Sequence, residues 1–115
     1  MFALSQCNDV IVIEVHGNLD VRNIEQFDGL LTSTLRNQTK KVVLDLSGLA
    51  HLHYRLVPHI MDRIVELQCA GGDLKLAAGS HYIHNILTAM GCEEDLYPTV
   101  GDAVLSFTPP EEEWQ

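Results

Sequence analysis

Six histidines and three cysteines are the residues of this 115-residue chain best equipped for chemistry, and their spacing decides what they do. His51, His53 and His59 crowd one short stretch, while His81 and His84 stand three apart. Two histidines at that interval share a helix face and can meet a metal ion. A site needs a third ligand, however, and neither an HExxH pattern nor an acidic cluster accompanies them. The expectation is therefore no metal: His51 and His53 are loop residues, and His81 and His84 lie near the solvated start of a helix. Cys7, Cys69 and Cys92 are isolated, odd in number and without a CxxC pair, which indicates neither a zinc site nor a disulfide framework. Ser47 precedes a glycine but sits in no GxSxG, so turn chemistry explains it better than nucleophilic catalysis. Asp20 reads as a turn or cap residue and Asp45 as a strand-end residue, and no carboxylate pair is spaced for acid–base work. Neither an enzyme nor a cofactor is expected.

The composition narrows the partners. Sixteen acidic against seven basic residues leave a net charge of −9, which disfavours nucleic acid and anionic membranes. A protein partner bearing basic groups is compatible with it. The hydrophobic fraction of 46% and charged fraction of 20% are those of a globular domain. No apolar run reaches the roughly 20 residues that span a bilayer. The opening Met1-Phe2-Ala3-Leu4 lacks the basic start and long apolar stretch of a secretion signal, so a cytoplasmic location is expected.

The elements that must position these residues centre on Lys41–Ile64, KVVLDLSGLAHLHYRLVPHIMDRI. Its VVLDL run reads as a strand buried on both faces. A loop from Ser47 to His53 follows, and then Val57, Ile60, Met61, Ile64 and Leu67 recur at helical spacing. Pro58 fits the first turn of that helix, where its missing N–H costs little. A strand, a loop and a helix start make a natural binding surface, because the start exposes unpaired N–H groups.

Upstream, Phe2–Gln6 and Val10–Val15 read as a hairpin turning at Asn8-Asp9, and Gly17-Asn18-Leu19-Asp20 ends its second strand. Ile24, Phe27, Leu31 and Leu35 then stripe a first helix, with Asn23 as its cap and Gln26 completing a box. Downstream, Gly71-Gly72 stops the second helix in a left-handed turn, and Leu74–Ala78 reads as a parallel strand. Ser80 caps a third helix striped by Ile83, Ile86, Leu87 and Met90, which Gly91 stops. Leu96–Tyr97 is a strand stub, and Thr99 opens a last helix running into Ala103–Phe107. Residues 1–107 are expected to form one α/β domain, a mixed sheet with about four helices, and 108–115 a flexible acidic tail.

In their order and spacing these pieces resemble the STAS domain, the fold of bacterial anti-sigma factor antagonists. The matching stretches are GNLD at Gly17–Asp20, VVLDLSGL at Val42–Leu49, Gly71-Gly72, Met90-Gly91 and TVGDAVL at Thr99–Leu105. The resemblance covers nearly all of residues 3–107. It implies a non-catalytic cytoplasmic module in signalling and transcription regulation, which docks on an anti-sigma-factor-like kinase or regulator. A soluble STAS subunit of a transport complex is the alternative, with a small-ligand or metal-binding protein behind it.

The resemblance also implies a serine switch in an Asp-Ser-Ser-Gly motif at the start of the second helix. Those four places here are His53, Tyr54, Arg55 and Leu56, and not one matches. Tyr54, at a degenerate phosphorylation position, carries a hydroxyl that projects several ångströms further than a serine's. The expectation is a docking module without the switch, whose partner-binding residues are His51, His53, Tyr54, Arg55 and His59. Aromatic residues and arginine on a rigid scaffold are favoured interface anchors.

Overall fold

The computed structural model describes residues 2–7, 9–36 and 41–107. Asn8, the Asn37-Gln38 break and the 108–115 tail lie outside them. Five strands form a mixed sheet in the order β1 (Phe2–Cys7), β2 (Val10–Val15), β4 (Lys41–Asp45), β6 (Asp73–Ala77) and β7 (Leu96–Tyr97). β1 and β2 are the expected antiparallel hairpin, and every other pairing in this sheet is parallel.

The unbroken VVL run of β4 has a direct cause. Val42 and Leu44 enter the larger core, formed with Phe27 and Leu31 of α1 (Ile24–Arg36), Ile60 and Ile64 of α2 (Val57–Cys69), and Ile83 and Leu87 of α3 (His81–Ala89). Val43 points the other way, into a smaller core closed by Ala103 and Val104 of α4 (Val100–Leu105). All three β4 residues are at most 1% exposed, so each contributes roughly 1.5–3 kcal/mol of burial. Three helices thus cover one face and α4 part of the other, the mixed α/β architecture read from the sequence.

The helix stops are where the glycines place them. Gly71 has φ +90°, and its N–H and that of Gly72 bond back to the carbonyls of Gln68 and Leu67. Gly91 and Cys92 repeat the arrangement on Thr88 and Leu87. Both are left-handed helix stops that satisfy the last carbonyls of the helix.

One local expectation changes. The stretch read as a loop from Ser47 to His53 contains a strand, β5 (Leu49–Leu52). It pairs in parallel with β3 (Gly17–Leu19), the residues read as the end of β2, to make a separate two-stranded sheet. Gly17, at φ +84°, breaks β3 from β2, and its N–H bonds the Gly48 carbonyl at 2.9 Å. A Cβ on Gly48 would lie 2.1 Å from His16 Nδ1, so a side chain there would displace the His16 ring.

Candidate functional site

Parallel strands β2, β4 and β6 all deliver the chain to the same end of the sheet, and α1, α2 and α3 start there. The small β3–β5 sheet lies at this end. Its buried residues, Leu19, Leu49 and Leu52, anchor it to the larger core, while Ala50 and His51 between the two β5 leucines are exposed.

Beyond β5, His53 turns the chain into one turn of 3-10 helix, Tyr54–Leu56, that leads directly into α2. His53 Nδ1 accepts the Arg55 N–H at 3.2 Å, which leaves Nε2 to carry the proton of the neutral ring. The His53 and Tyr54 rings stack with centroids 5.2 Å apart. The Arg55 guanidinium lies 5.9 Å from the Tyr54 centroid, and its Nε donates to the Tyr54 hydroxyl at 3.4 Å. Pro58 falls in the first turn of α2, and Leu56 is buried beneath. Local side-chain contacts therefore organise the exposed turn from above, and one leucine holds it from below.

His51, His53 and Tyr54 line a cleft of about 480 Å³. Leu19 and Leu52 contribute from the small sheet, Asn18 and Asp20 from its rim, and Tyr82 and Ile86 from α3. His51 meets Tyr82 edge-on, with centroids 6.1 Å apart and planes at 82°. Tyr54 and Tyr82 are 55% and 51% exposed, so two tyrosines frame the opening while the aliphatic residues lie deeper.

Asp20 is held by the loop before α1. Its carboxylate accepts the Arg22 N–H at 2.9 Å, and this bond, with the Arg22 charge, holds its pKa below the ordinary 3.8. Asn23 does not act as the expected side-chain cap. Its Oδ1 accepts the Asp20 N–H at 2.9 Å and its Nδ2 donates to the Asn18 carbonyl, so it ties the loop together.

Of the five expected contact residues, three line the cleft, Arg55 stands beside it on Tyr54, and His59 is elsewhere. His59 Nε2 meets both Asp28 oxygens, at 2.6 and 2.7 Å, and clips α2 to α1. Its position one turn into α2 rotates it away from the residues of the 3-10 turn. His84 bonds the Ala78 carbonyl. Among the described residues no three His, Cys, Asp or Glu side chains gather to hold a metal ion. Asp45, the last residue of β4, accepts the Ser47 N–H at 3.0 Å, so Ser47 lies in a turn as expected. Tyr82 and Ile86 were missed as site residues. Tyr82 had a signal, since it is an aromatic residue lying off the apolar stripe of α3.

Comparison with known proteins fits this architecture. The STAS domain model matches residues 2–103, so the chain belongs to the STAS domain family. Among solved structures, a putative anti-sigma factor antagonist from Thermotoga maritima is 17% identical, with a TM-score of 0.85 over 94% of this chain and 95% of that one. An anti-sigma factor antagonist from Mycobacterium paratuberculosis is 18% identical, with a TM-score of 0.84 over 95% and 94%. The STAS domain of a SulP transporter from Vibrio cholerae is 16% identical, with a TM-score of 0.70 over 96% and 89%. At these identities the likeness shows the fold. No curated protein matches the chain. Among the described residues, no helix is long and apolar enough to cross a membrane.

Proposed function

We propose that this protein is a non-catalytic cytoplasmic interaction module of the anti-sigma-factor-antagonist kind, docking through the end of the molecule where β5 meets α2. The contact residues are His51, His53, Tyr54 and Arg55; His59, held by Asp28 between α1 and α2, is not among them. The observation that carries the reading is the 3-10 turn. His53, Tyr54 and Arg55 are exposed side by side on a turn fixed by the buried Leu56, at the four places to which the resemblance assigns the family's switch motif. Such a surface presents an aromatic ring and a guanidinium with little conformational freedom to lose on binding. Without the serine, docking is constitutive.

The test is the intact mass of the protein after incubation with ATP and a kinase-like regulator encoded beside its gene, with binding measured before and after. An unmodified mass and unchanged binding are expected. A gain of one phosphate on Tyr54 or Ser47, with weakened binding, overturns the reading. The likeness to the Vibrio cholerae SulP STAS domain supports a second reading, a soluble subunit of a transport complex. A gene beside an ATPase and a permease favours that reading, and one beside an anti-sigma kinase or phosphatase favours the first.

A further inference from the structure

The two edges of the main sheet are finished differently. β7 has only two residues, Leu96 and Tyr97, set between the acidic turn Glu93–Asp95 and Pro98. A short strand bounded by charge and proline is a poor template for another strand. β1, at the opposite edge, runs for six residues and pairs with β2 without a bulge from Phe2↔Val15 to Cys7↔Val10. Among the described residues β2 is its only strand neighbour.

The composition of β1 is as notable as its length. Residues 3–6 are all exposed, and Leu4 is 56% exposed. Yet FALSQC contains no charged residue and no proline, in a chain of which 20% is charged. Exposed strands are ordinarily protected by Lys, Glu or Pro, whereas the core of a protein interface is depleted of charge. β1 has the composition of an interface strand.

We propose that β1 is a dimerisation edge: two copies of the chain join antiparallel, β1 to β1, with the two-fold axis at Leu4. A two-fold axis perpendicular to the sheet reverses the strand direction and keeps both three-helix faces on one side. Directly opposite residues must then share a face. Phe2 packs against the larger core and Leu4 lies two residues on, so Leu4 opposite Leu4 satisfies this rule and aligns Ala3 with Ser5. The backbone donors and acceptors of an antiparallel strand complement those of its own copy. A basic peptide added at this edge has no carboxylate on β1 to meet, although the chain as a whole carries −9. That charge makes two copies repel at a distance while the contact strip is neutral, so added salt tightens the dimer.

The test is sedimentation equilibrium of the full chain over about a hundredfold range of concentration, at low and high sodium chloride. The expected mass moves from one chain to two as concentration rises, and salt shifts the transition to lower concentration. Leu4→Lys places like charges opposite each other, and weakens dimerisation by about tenfold or more. Because Leu4 is more than half exposed, its urea midpoint stays near the wild-type value. Val65→Lys alters another exposed apolar residue, 55% exposed on α2, and leaves the dimer intact. Leu4→Cys forms an intermolecular disulfide under mild oxidation, read as a covalent dimer mapped to residue 4. A single-chain mass at all concentrations and salts overturns the proposal. So does a dimer that survives Leu4→Lys or is lost with Val65→Lys.

Discussion

Two helices start at the same end of the sheet after neighbouring parallel strands, and they start in opposite ways. α3 is anchored: Ser80 Oγ accepts the Ile83 N–H at 3.2 Å, and Ile83 itself is fully buried. Behind the cap, Ala78 and Gly79 both take positive φ, and a Cβ on Gly79 would press to 3.3 Å on Leu46 and His84. α2 is presented: its cap residue Leu56 makes no side-chain hydrogen bond, and exposed His53, Tyr54 and Arg55 build the turn ahead of it. At the start of α3 Ser80 and Ile83 are chosen for fit, with Tyr82 between them left to face the cleft. At the start of α2, by contrast, all three residues ahead of Leu56 are held in place but left open. Local consistency yields most at sites that must face something outside the chain.

The contrast breaks first on stability. Ile83→Ala is expected to cost roughly 2–5 kcal/mol, because a fully buried side chain leaves a cavity. Tyr54→Ala, one turn of chain into the other helix start, should stay within about 0.5 kcal/mol. Urea denaturation of both variants is the measurement, and equal losses would mean that the two starts are equally structural.

Binding should invert that order. Tyr54→Ala is expected to weaken the docking partner by about 2 kcal/mol, near thirtyfold in Kd, as truncated aromatic anchors do. Ser80→Ala should leave Kd unchanged. Titration calorimetry with the purified partner separates the two, and an unaffected Tyr54→Ala complex would move the docking surface away from α2.

The caps themselves differ less. Ser80→Ala removes a true helix cap and is expected to cost about 1 kcal/mol. His53→Ala removes one hydrogen bond from an exposed turn, where water replaces it, and should cost less than about 0.5 kcal/mol. Thermal unfolding of the two variants ranks them.

How much of this was legible follows from the range of each interaction. Gly71, Ser80, Gly91 and Thr99 were read correctly because caps and stops are settled within one turn. The two-faced burial of β4 was legible because an unbroken VVL run admits few other fates. The β3–β5 pairing was not, because Leu49–Leu52 becomes a strand only through Gly17–Leu19, some thirty positions earlier in the sequence. The cleft was half legible for the same reason. His51, His53 and Tyr54 stood out locally, but Tyr82 joins them only once α3 packs beside β5. His59 was grouped with them by proximity in sequence, and Asp28 claims it across the helix interface.

The smallest effect concerns the third helix start at this end, where Asp20 organises the loop before α1. The Arg22 N–H, then the Arg22 charge, outweigh desolvation and leave the folded pKa below 3.8, the ordinary value. Between those two values the unfolded chain binds the proton and the folded one does not. The stabilisation is therefore present above the unfolded value and disappears as pH falls through the folded one. Asp9, whose carboxylate accepts from Lys41 Nζ at 2.8 Å, is held low in the same direction. It lies far from the helix starts, in the β1–β2 turn, and serves as the control. Asp20→Asn keeps an oxygen for the Arg22 N–H and removes only the charge, so the loop is retained and the acid dependence is lost. Urea midpoints followed from neutral pH down to about 2 should fall less steeply below pH 4 for Asp20→Asn than for wild type. Asp9→Asn should flatten the same limb independently, and the two effects should add. A double variant no flatter than either single one would mean that the two carboxylates titrate as one system. An Asp20→Asn limb that overlays the wild type would remove Asp20 from the acid response, leaving Asn23 to hold the loop at the rim of the cleft.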